Sequence, residues 1–512
     1  MISKVKSCGL MGIDGYIVDV EVDISKGLPS FDIVGLPDAA IRESRERVRS
    51  AIKNCNLEFP IKRIIINLAP AHIKKEGPSF DLPISIGILQ ACEQLEMKDV
   101  DQYMFLGELS LNGELRPVNG VLPAVITAYN YGIKKVIVPQ DNAYEAAVIK
   151  ELEVYPAAHL YDVICHLTGE KTLPVFKIDV NDLLTSQNQY DVDFSDVKGQ
   201  ENVKRALEVA AAGGHNCLMI GSPGCGKTMI AKCLPTILPD MTFQEALEVT
   251  KIYSIAGLLP KGVSLITARP FRNPHHTVSN ASLVGGGKIP KPGEITLAHF
   301  GVLFLDELPE FKKDVLEVMR QPLEDGEVTI SRVNATLTYP CSTMLVASMN
   351  PCKCCFYGDP VRECTCSQAE IQKYLGKISG PLLDRMDIHV EVSPVKYKDL
   401  ESTDTLESSQ QIKERVNMAR QIQRKRYEKY GIFCNAQLKP AHIQKFCALG
   451  EAEKSLLRSA FDKLGLSARA HHRILKVART IADLENSERI QTHHLAEAIQ
   501  YRSLDRKYFK YI

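Results

Sequence analysis

The segment Gly221-Ser222-Pro223-Gly224-Cys225-Gly226-Lys227-Thr228 has the spacing G-x-x-x-x-G-K-[ST], and each fixed residue suits a polyphosphate. Glycines let successive backbone N–H groups face phosphate oxygens without a Cβ in the way. Lys227 reaches the β and γ oxygens, and the Thr228 hydroxyl can ligate Mg2+. ATP with Mg2+ is therefore the expected cofactor pair, with Met229 closing the contact set at the start of the following helix. Further on, the apolar run Val302-Leu-Phe-Leu305 ends in Asp306-Glu307. As a buried parallel strand it would place Asp306 beside the phosphate loop to hold Mg2+ through water, and Glu307 to orient or deprotonate an attacking water. The plain alternative is a strand ending in two solvated acids.

A second run of the same kind, Met344-Leu-Val-Ala-Ser-Met349, ends in Asn350. Asn350 could hydrogen-bond the γ-phosphate or the water, or simply form the turn before Pro351. Arg385 lies between two acids in Leu-Leu-Asp384-Arg385-Met-Asp387, which suits either a surface ion pair or an arginine inserted into a neighbouring subunit's site. The stretch from Cys352 to Cys366 holds two C-x-C pairs, Cys352/Cys354 and Cys364/Cys366, joined by a short loop. Four thiolates so grouped can satisfy tetrahedral Zn2+ in a closed structural site; free thiols or a disulfide are the alternatives. Cys355 is read as an extra thiol that does not ligate, though an exchange with Cys354 stays open.

These residues need a strand-to-helix turn and a covered parallel sheet. Cys217-Leu-Met-Ile220 supplies the strand before the glycines, and Met229-Ile-Ala-Lys-Cys-Leu234 the helix after them. Residues 1–175 alternate short β-rich runs with helical ones, as a compact α/β domain does. Residues 176–195 are polar and read as a linker, 196–395 alternate strands and helices around the phosphate loop, and 396–512 are almost entirely helical. The 512 residues carry 62 basic and 62 acidic side chains, so no global field attracts nucleic acid and any such site must be local. No apolar run approaches the roughly 18 residues of a membrane span, and the N-terminal residues lack a signal-peptide profile, so a cytoplasmic protein without membrane partners is expected.

Taken in order, the phosphate loop, Asp306-Glu307, Asn350 and Leu-Leu-Asp-Arg385 resemble the AAA+ ATPases, in the clade shared by magnesium-chelatase ATPase subunits and replicative MCM helicases. Phe271-Arg-Asn-Pro-His-His-Thr-Val-Ser-Asn-Ala-Ser-Leu-Val-Gly-Gly-Gly287, with Pro292-Gly-Glu-Ile-Thr-Leu-Ala-His-Phe-Gly-Val-Leu-Phe-Leu-Asp-Glu307, is similar to the magnesium-chelatase-like YifB/ComM family, and the likeness covers nearly the whole chain. It implies an AAA+ P-loop parallel-sheet core with a helical C-terminal lid, preceded by a Lon-protease-like (ribosomal S5 domain 2-like) α/β domain. It also implies a homo-oligomeric ring, a hexamer, with nucleotide at each subunit interface. The activity implied is an ATP-driven motor on single-stranded or branched DNA, promoting branch migration in recombination or natural transformation. Protein remodelling and chelatase-type metal insertion are the alternatives.

The resemblance extends to further parts. The segment from about Ser254 to His299 is similar to the clade's helix-2 insert, with Lys288 and Lys291 near its tip. Glu327 to Tyr339 reads as a hairpin turning at Arg332-Val-Asn334, like the clade's channel hairpin; such basic tips would touch phosphates without reading bases. Ser467-Ala-Arg469-Ala-His-His-Arg473 resembles the sensor-2 helix, with Arg469 the first choice and Arg473 the second. The basic stretch Lys413 to Lys429 is a solvated helix face or a DNA contact. Where the family shows Cys-Pro-Cys-Gly, this chain has Cys355 in place of the glycine.

Lys75-Glu-Gly-Pro-Ser79 resembles the serine segment of Lon-type proteases, and Leu115 to Pro139 the segment carrying their catalytic lysine. The lysine's position is here Leu122, which cannot accept a proton. A Ser–Lys dyad cannot operate without that base. The domain is therefore expected to be proteolytically inactive, with Ser79 a structural remnant.

Overall fold

The structure is a computed structural model describing residues 2–179, 190–287, 290–332, 335–359, 362–395, 406–464 and 467–509. Lys288, residues 333–334 of the expected hairpin turn, half of the 176–195 stretch (180–189) and the first part of 396–512 (396–405) lie outside the described residues. The chain divides into two compact units: Met1–Ser186 with Phe243–Thr267, and Gln187–Thr242 with Ala268–Ile512. The segment Phe243–Thr267 follows the phosphate loop in sequence and falls within the expected 196–395 stretch, yet it packs with the first unit.

The first unit is built on a seven-stranded sheet. Its strands are β1 (Ile2–Met11), β2 (Asp14–Ser25), β3 (Ser30–Val34), β4 (Arg63–Ala69), β5 (Tyr103–Phe105), β6 (Lys135–Pro139) and β7 (Glu153–Ala157), in the order β3-β4-β2-β1-β5-β6-β7. Val18, Val20 and Val22 alternate inward along β2, the period-two pattern of a sheet with one packed face. Helix α1 (Ala39–Asn54) starts where the Asp38 carboxylate accepts the Ile41 N–H at 2.9 Å. Helix α2 (Asp81–Ala91) is buried nearly all round; its first residue, Asp81, is held by Arg47 at 2.6 Å and by the Leu109 N–H at 3.2 Å.

The second unit holds a five-stranded sheet of β8 (Cys217–Ile220), β9 (Phe271–Arg272), β10 (Val302–Leu305), β11 (Met344–Met349) and β12 (Ile388–Glu391), ordered β9-β10-β11-β8-β12. Every pairing is parallel. All residues of β8, β10 and β11 are buried, which explains their unbroken apolar sequences: helices cover both faces. Two antiparallel ribbons, Gly285–Gly286 with Lys291–Pro292 and Glu327–Arg332 with Ala335–Pro340, stand outside this sheet. They lie together, since Tyr339 donates its hydroxyl to the Pro290 carbonyl at 2.8 Å.

The C-terminal helices close over the core through buried polar groups. Helix α3 (Ser409–Tyr427) carries most of the basic stretch noted above; several of its cations are engaged by other parts of the second unit, while Lys425 is exposed. Arg420 donates to the Ala211 and Ala212 carbonyls at 2.9 and 3.2 Å, at the C-terminus of the helix Glu201–Gly213. Cations there satisfy orphan carbonyls and the helix dipole. Arg415 pairs with Glu208 at 2.6 Å and Lys413 with Asp240 at 2.7 Å, so these two cations also have partners within the second unit. Asp483, on α4 (Ala468–Leu484), is buried and receives Arg426, Arg479 and the Asn435 amide at 3.0, 3.1 and 2.9 Å. Removing this carboxylate would leave two guanidinium groups without their shared partner. Asp483→Ala should therefore lower the stability of the second unit by about 3–5 kcal/mol, read as an earlier urea unfolding transition.

Candidate nucleotide-binding site

The parallel register decides what meets at one edge of the second sheet. Leu305 pairs with Ala347, and Ile220 with Met349, so the phosphate loop, Asp306-Glu307 and Asn350 all leave the sheet at the carboxyl ends of adjacent strands. Open parallel sheets bind ligands at this edge. The loop follows β8 and enters the helix Lys227–Ile237 through Gly226, whose φ of +91° lies in the left-handed region. Gly221 needs its small size: a Cβ there would come within 2.3 Å of the Val392 carbonyl oxygen. The helix N-terminus thus presents Lys227, Thr228 and Met229 together with its unpaired N–H groups.

Side chains converge on this point. Thr228 Oγ1 donates to Asp306 Oδ2 at 2.7 Å. Asp306 Oδ1 accepts the Glu307 N–H at 3.0 Å and the hydroxyl of Ser348. Lys227 Nζ donates to the carbonyls of Gly221 and Ser222 at 2.7 and 2.9 Å and to Asn350 Oδ1 at 3.1 Å. A hydroxyl and a carboxylate oxygen side by side form a hard oxygen pair suited to Mg2+, with an ammonium close by for phosphate. Glu307, at φ +53°, turns out of the strand direction and stays largely exposed, with His276 Nδ1 at 3.8 Å. An exposed carboxylate at this edge can reach a water.

Ser348 was not a candidate from sequence, although it is the one hydroxyl in the run Met344–Met349 and buried hydroxyls need partners. Asn216 gave no such signal. Its side-chain oxygen accepts the Leu345 N–H at 2.8 Å and its amide donates to the Arg385 carbonyl at 2.9 Å, tying β11 to the Arg385 loop.

Arg385 is not part of this cluster. Its guanidinium donates to the Pro381 carbonyl at 2.7 Å and pairs with Glu324. Arg469, in the first turn of α4, is largely exposed and lies 3.4 Å from Asp384, so Arg385 and Arg469 belong to one neighbourhood. Arg473 is half-buried, donates to the Met386 carbonyl at 3.3 Å and lies 3.6 Å from Asp387; desolvation lowers its pKa. Asp387 also receives His215 at 3.2 Å, while the other ring nitrogen of His215 sits 2.7 Å from Thr480 on α4.

The cysteine stretch lies immediately after Asn350. The sulfur atoms of Cys352, Cys354, Cys364 and Cys366 lie within 4.8 Å of one another, with no disulfide among them. Cys352 is 3.3 Å from Cys354 and 3.7 Å from Cys364, and Cys354 is 3.4 Å from Cys364. Tetrahedral Zn–S bonds of about 2.3 Å require sulfur separations of about 3.8 Å, so the set fits with small adjustment. Burial opposes ionisation of Cys354, but the Phe356 N–H and the neighbouring thiols outweigh it and hold that thiol at about 5. Cys355 is outside the set; its thiol donates to the Lys353 carbonyl, and its φ of +75° is one that favours glycine. A second group, Glu485 with His493 and His494, is built differently. His494 Nδ1 accepts the Gln491 N–H, so Nε2 carries the proton given to Glu485 and has no lone pair for a metal.

In the first unit Leu122 is fully buried. Its N–H donates to Glu145 Oε1 at 2.7 Å, and the same carboxylate takes the hydroxyl of Ser254. Burial raises the pKa of Glu145. The Ser79 carbonyl accepts the Gly107 N–H at 3.1 Å. Leu122, where the sequence led us to expect a lost catalytic lysine, is thus a core position, capped by a carboxylate that the segment Phe243–Thr267 also reaches through Ser254.

A phosphate loop, an acidic strand end and a polar strand end on one parallel sheet, with helices following, define the AAA+ class of P-loop protein. Residues 193–400 match the family described as magnesium chelatase, subunit ChlI, residues 20–142 a second description of that subunit, and residues 406–502 its C-terminal part. The competence protein ComM of Haemophilus influenzae is 45% identical over 500 residues, covering 97% of this chain and 96% of that one. The uncharacterized protein YifB of Escherichia coli is 44% identical over 507 residues, 99% and 98% of the two chains. Lon protease 2 of Bacillus subtilis is 26% identical over 155 residues, 27% of each chain. The chain belongs to the ComM/YifB family of magnesium-chelatase-like AAA+ proteins. Among the described residues no helix is long and apolar enough to cross a membrane.

The Asp387 contacts carry a pH signature. Burial opposes its charge, but the His215 hydrogen bond and the Arg473 and Lys476 charges outweigh that and lower its pKa to about 2. With the folded value below the usual 3.8, the stabilisation is complete above about pH 4 and is lost as pH falls through 2. The stability gap between wild type and Asp387→Asn should be on the order of 2 kcal/mol at pH 6 and close progressively toward pH 2, measured by denaturant unfolding across that range.

Proposed function

We propose that the protein is an Mg2+-dependent ATPase that assembles as a hexameric ring and drives movement on single-stranded or branched DNA. One observation carries the ATPase reading: Lys227, Thr228, Asp306 and Asn350 are already joined by hydrogen bonds at one sheet edge. In this reading the backbone from Gly221 to Thr228 and Lys227 hold the β and γ phosphates. Thr228 and Asp306 hold Mg2+, which when bound offsets phosphate charge. Glu307 orients or deprotonates the attacking water, and Asn350 fixes the water or the γ-phosphate. Leu122 offers no base for peptide hydrolysis, so proteolysis is not part of this reading.

Arg385 and Arg469 sit on one neighbourhood around Asp384, apart from the hydrogen-bonded cluster. We assign both to a neighbouring subunit's nucleotide, with Arg473 as a structural residue. A shared location means that offering one arginine brings the other with it, which makes assembly a condition of turnover. For DNA, the support is the kinship with a competence protein and the paired ribbons, where Lys291 and Arg332 are exposed. Such cations would contact phosphates irrespective of sequence.

Glu307→Gln should cut ATP turnover by roughly 10²-fold or more while leaving nucleotide affinity nearly intact. Forked or four-way-junction DNA should raise wild-type ATPase rate, and the Glu307→Gln protein with ATP should bind that DNA stably. Neither stimulation nor binding would remove DNA from the reading and leave the ATPase standing.

We also propose that the thiols of Cys352, Cys354, Cys364 and Cys366 hold a structural Zn2+. The geometry of the set supports this: four clustered sulfurs at separations close to those a tetrahedral Zn2+ requires. Elemental analysis of the purified chain should give about one zinc per subunit. The double variant Cys352→Ser/Cys364→Ser should carry none; unchanged zinc in that variant would reject the site.

A further inference from the structure

The cysteine stretch is tied to the phosphate loop from two sides. At its start, Asn350 meets Lys227 at 3.1 Å, two residues before Cys352. In its middle, Asp359 Oδ2 accepts the hydroxyl of Ser222, the second residue of the phosphate loop, at 2.7 Å. Asp359 is itself set in a turn: its N–H donates to the Phe356 carbonyl at 3.1 Å, and its other carboxylate oxygen takes the Arg362 N–H at 3.0 Å. Ser222 is 9% exposed, and its carbonyl is one of the acceptors of Lys227. Both braces therefore act on the group that must cradle the triphosphate.

The four cysteines bracket the second brace, Cys352 and Cys354 before Asp359 and Cys364 and Cys366 after it. The described residues between Asn350 and Ser367 form no helix or strand, so regular backbone pairing does little to fix this turn. A bond across its base would. Closing a short loop removes chain entropy that the hydrogen bonds of Asp359 would otherwise have to overcome.

We propose that the four-cysteine site is a metal-dependent clamp on the nucleotide site: bound Zn2+ holds Asp359 against Ser222 and Asn350 against Lys227, and loss of the metal weakens ATP binding. This rests on the reading that the thiols take zinc. Metal occupancy then regulates an active site in which the metal itself has no chemical step.

The experiment uses the full-length chain, with zinc measured by elemental analysis and affinity by titration with a fluorescent ATP analogue in excess Mg2+. Removing zinc with a chelator that spares Mg2+ should weaken affinity about tenfold, about 1.4 kcal/mol, and added Zn2+ should restore it. Asp359→Ala should keep its zinc and its melting temperature, show the same loss, and respond no further to chelation. Asp359→Asn, which still offers Ser222 an acceptor, should recover most of the affinity. Zinc present and removable with affinity changed less than twofold would overturn the clamp and leave the zinc site intact. A chain that contains no zinc and takes none up would overturn both, and an Asp359→Ala protein with wild-type affinity would overturn the clamp by itself.

Discussion

The parallel register of β8, β10 and β11 is the constraint on which the rest of the second unit depends. Three strands that end together place a backbone cradle, a carboxylate pair and an amide within hydrogen-bonding reach, although they lie far apart in sequence. Slipping one strand by a single residue would turn its side chains to the opposite face and break the Thr228–Asp306 contact. Ser348 reinforces the register from within the sheet by holding Asp306 on the side away from Thr228. Burial of all three strands is what makes that register specific, since any slip also moves apolar side chains.

A second level of organisation comes from buried charge. Arg420 caps a core helix, Asp483 gathers Arg426 and Arg479, and His215 bridges Asp387 and Thr480. Such groups cost heavily when unpaired, so the C-terminal helices have few alternative positions over the core. The loop that carries Arg385 is fixed by this same network, through Asn216 below and Arg473 above. The nucleotide edge and the loop bearing Arg385 thus belong to one connected framework.

In the first unit, Leu122 is part of the core. Leu122 is buried, Glu145 caps the backbone beside it, and the segment Phe243–Thr267 supplies Ser254 to the same carboxylate. Because that segment directly follows the helix Lys227–Ile237, the chain that begins at the phosphate loop passes into the first unit and returns at Ala268. The covalent chain itself therefore links the two units on both sides of this segment.

Sequence alone determined the phosphate loop, Asp306-Glu307, Asn350 and the two C-x-C pairs, because each is a local pattern whose chemistry is set by residue type and spacing. It also determined the strands, because burial on both faces demands unbroken apolar runs. Tertiary structure alone decided the rest. Ser348, Asn216 and Asp359 act through partners distant in sequence, and no spacing rule announces such contacts. Tertiary structure also sets Arg469 and Arg473 apart, leaving the first guanidinium exposed and packing the second against Met386 and Asp387. Arg420 and Arg426 of α3 have their partners for the same reason: helix C-termini and buried carboxylates need cations, and the fold brought them there. The exclusion of Cys355 from the sulfur cluster follows from a left-handed backbone that points its thiol elsewhere.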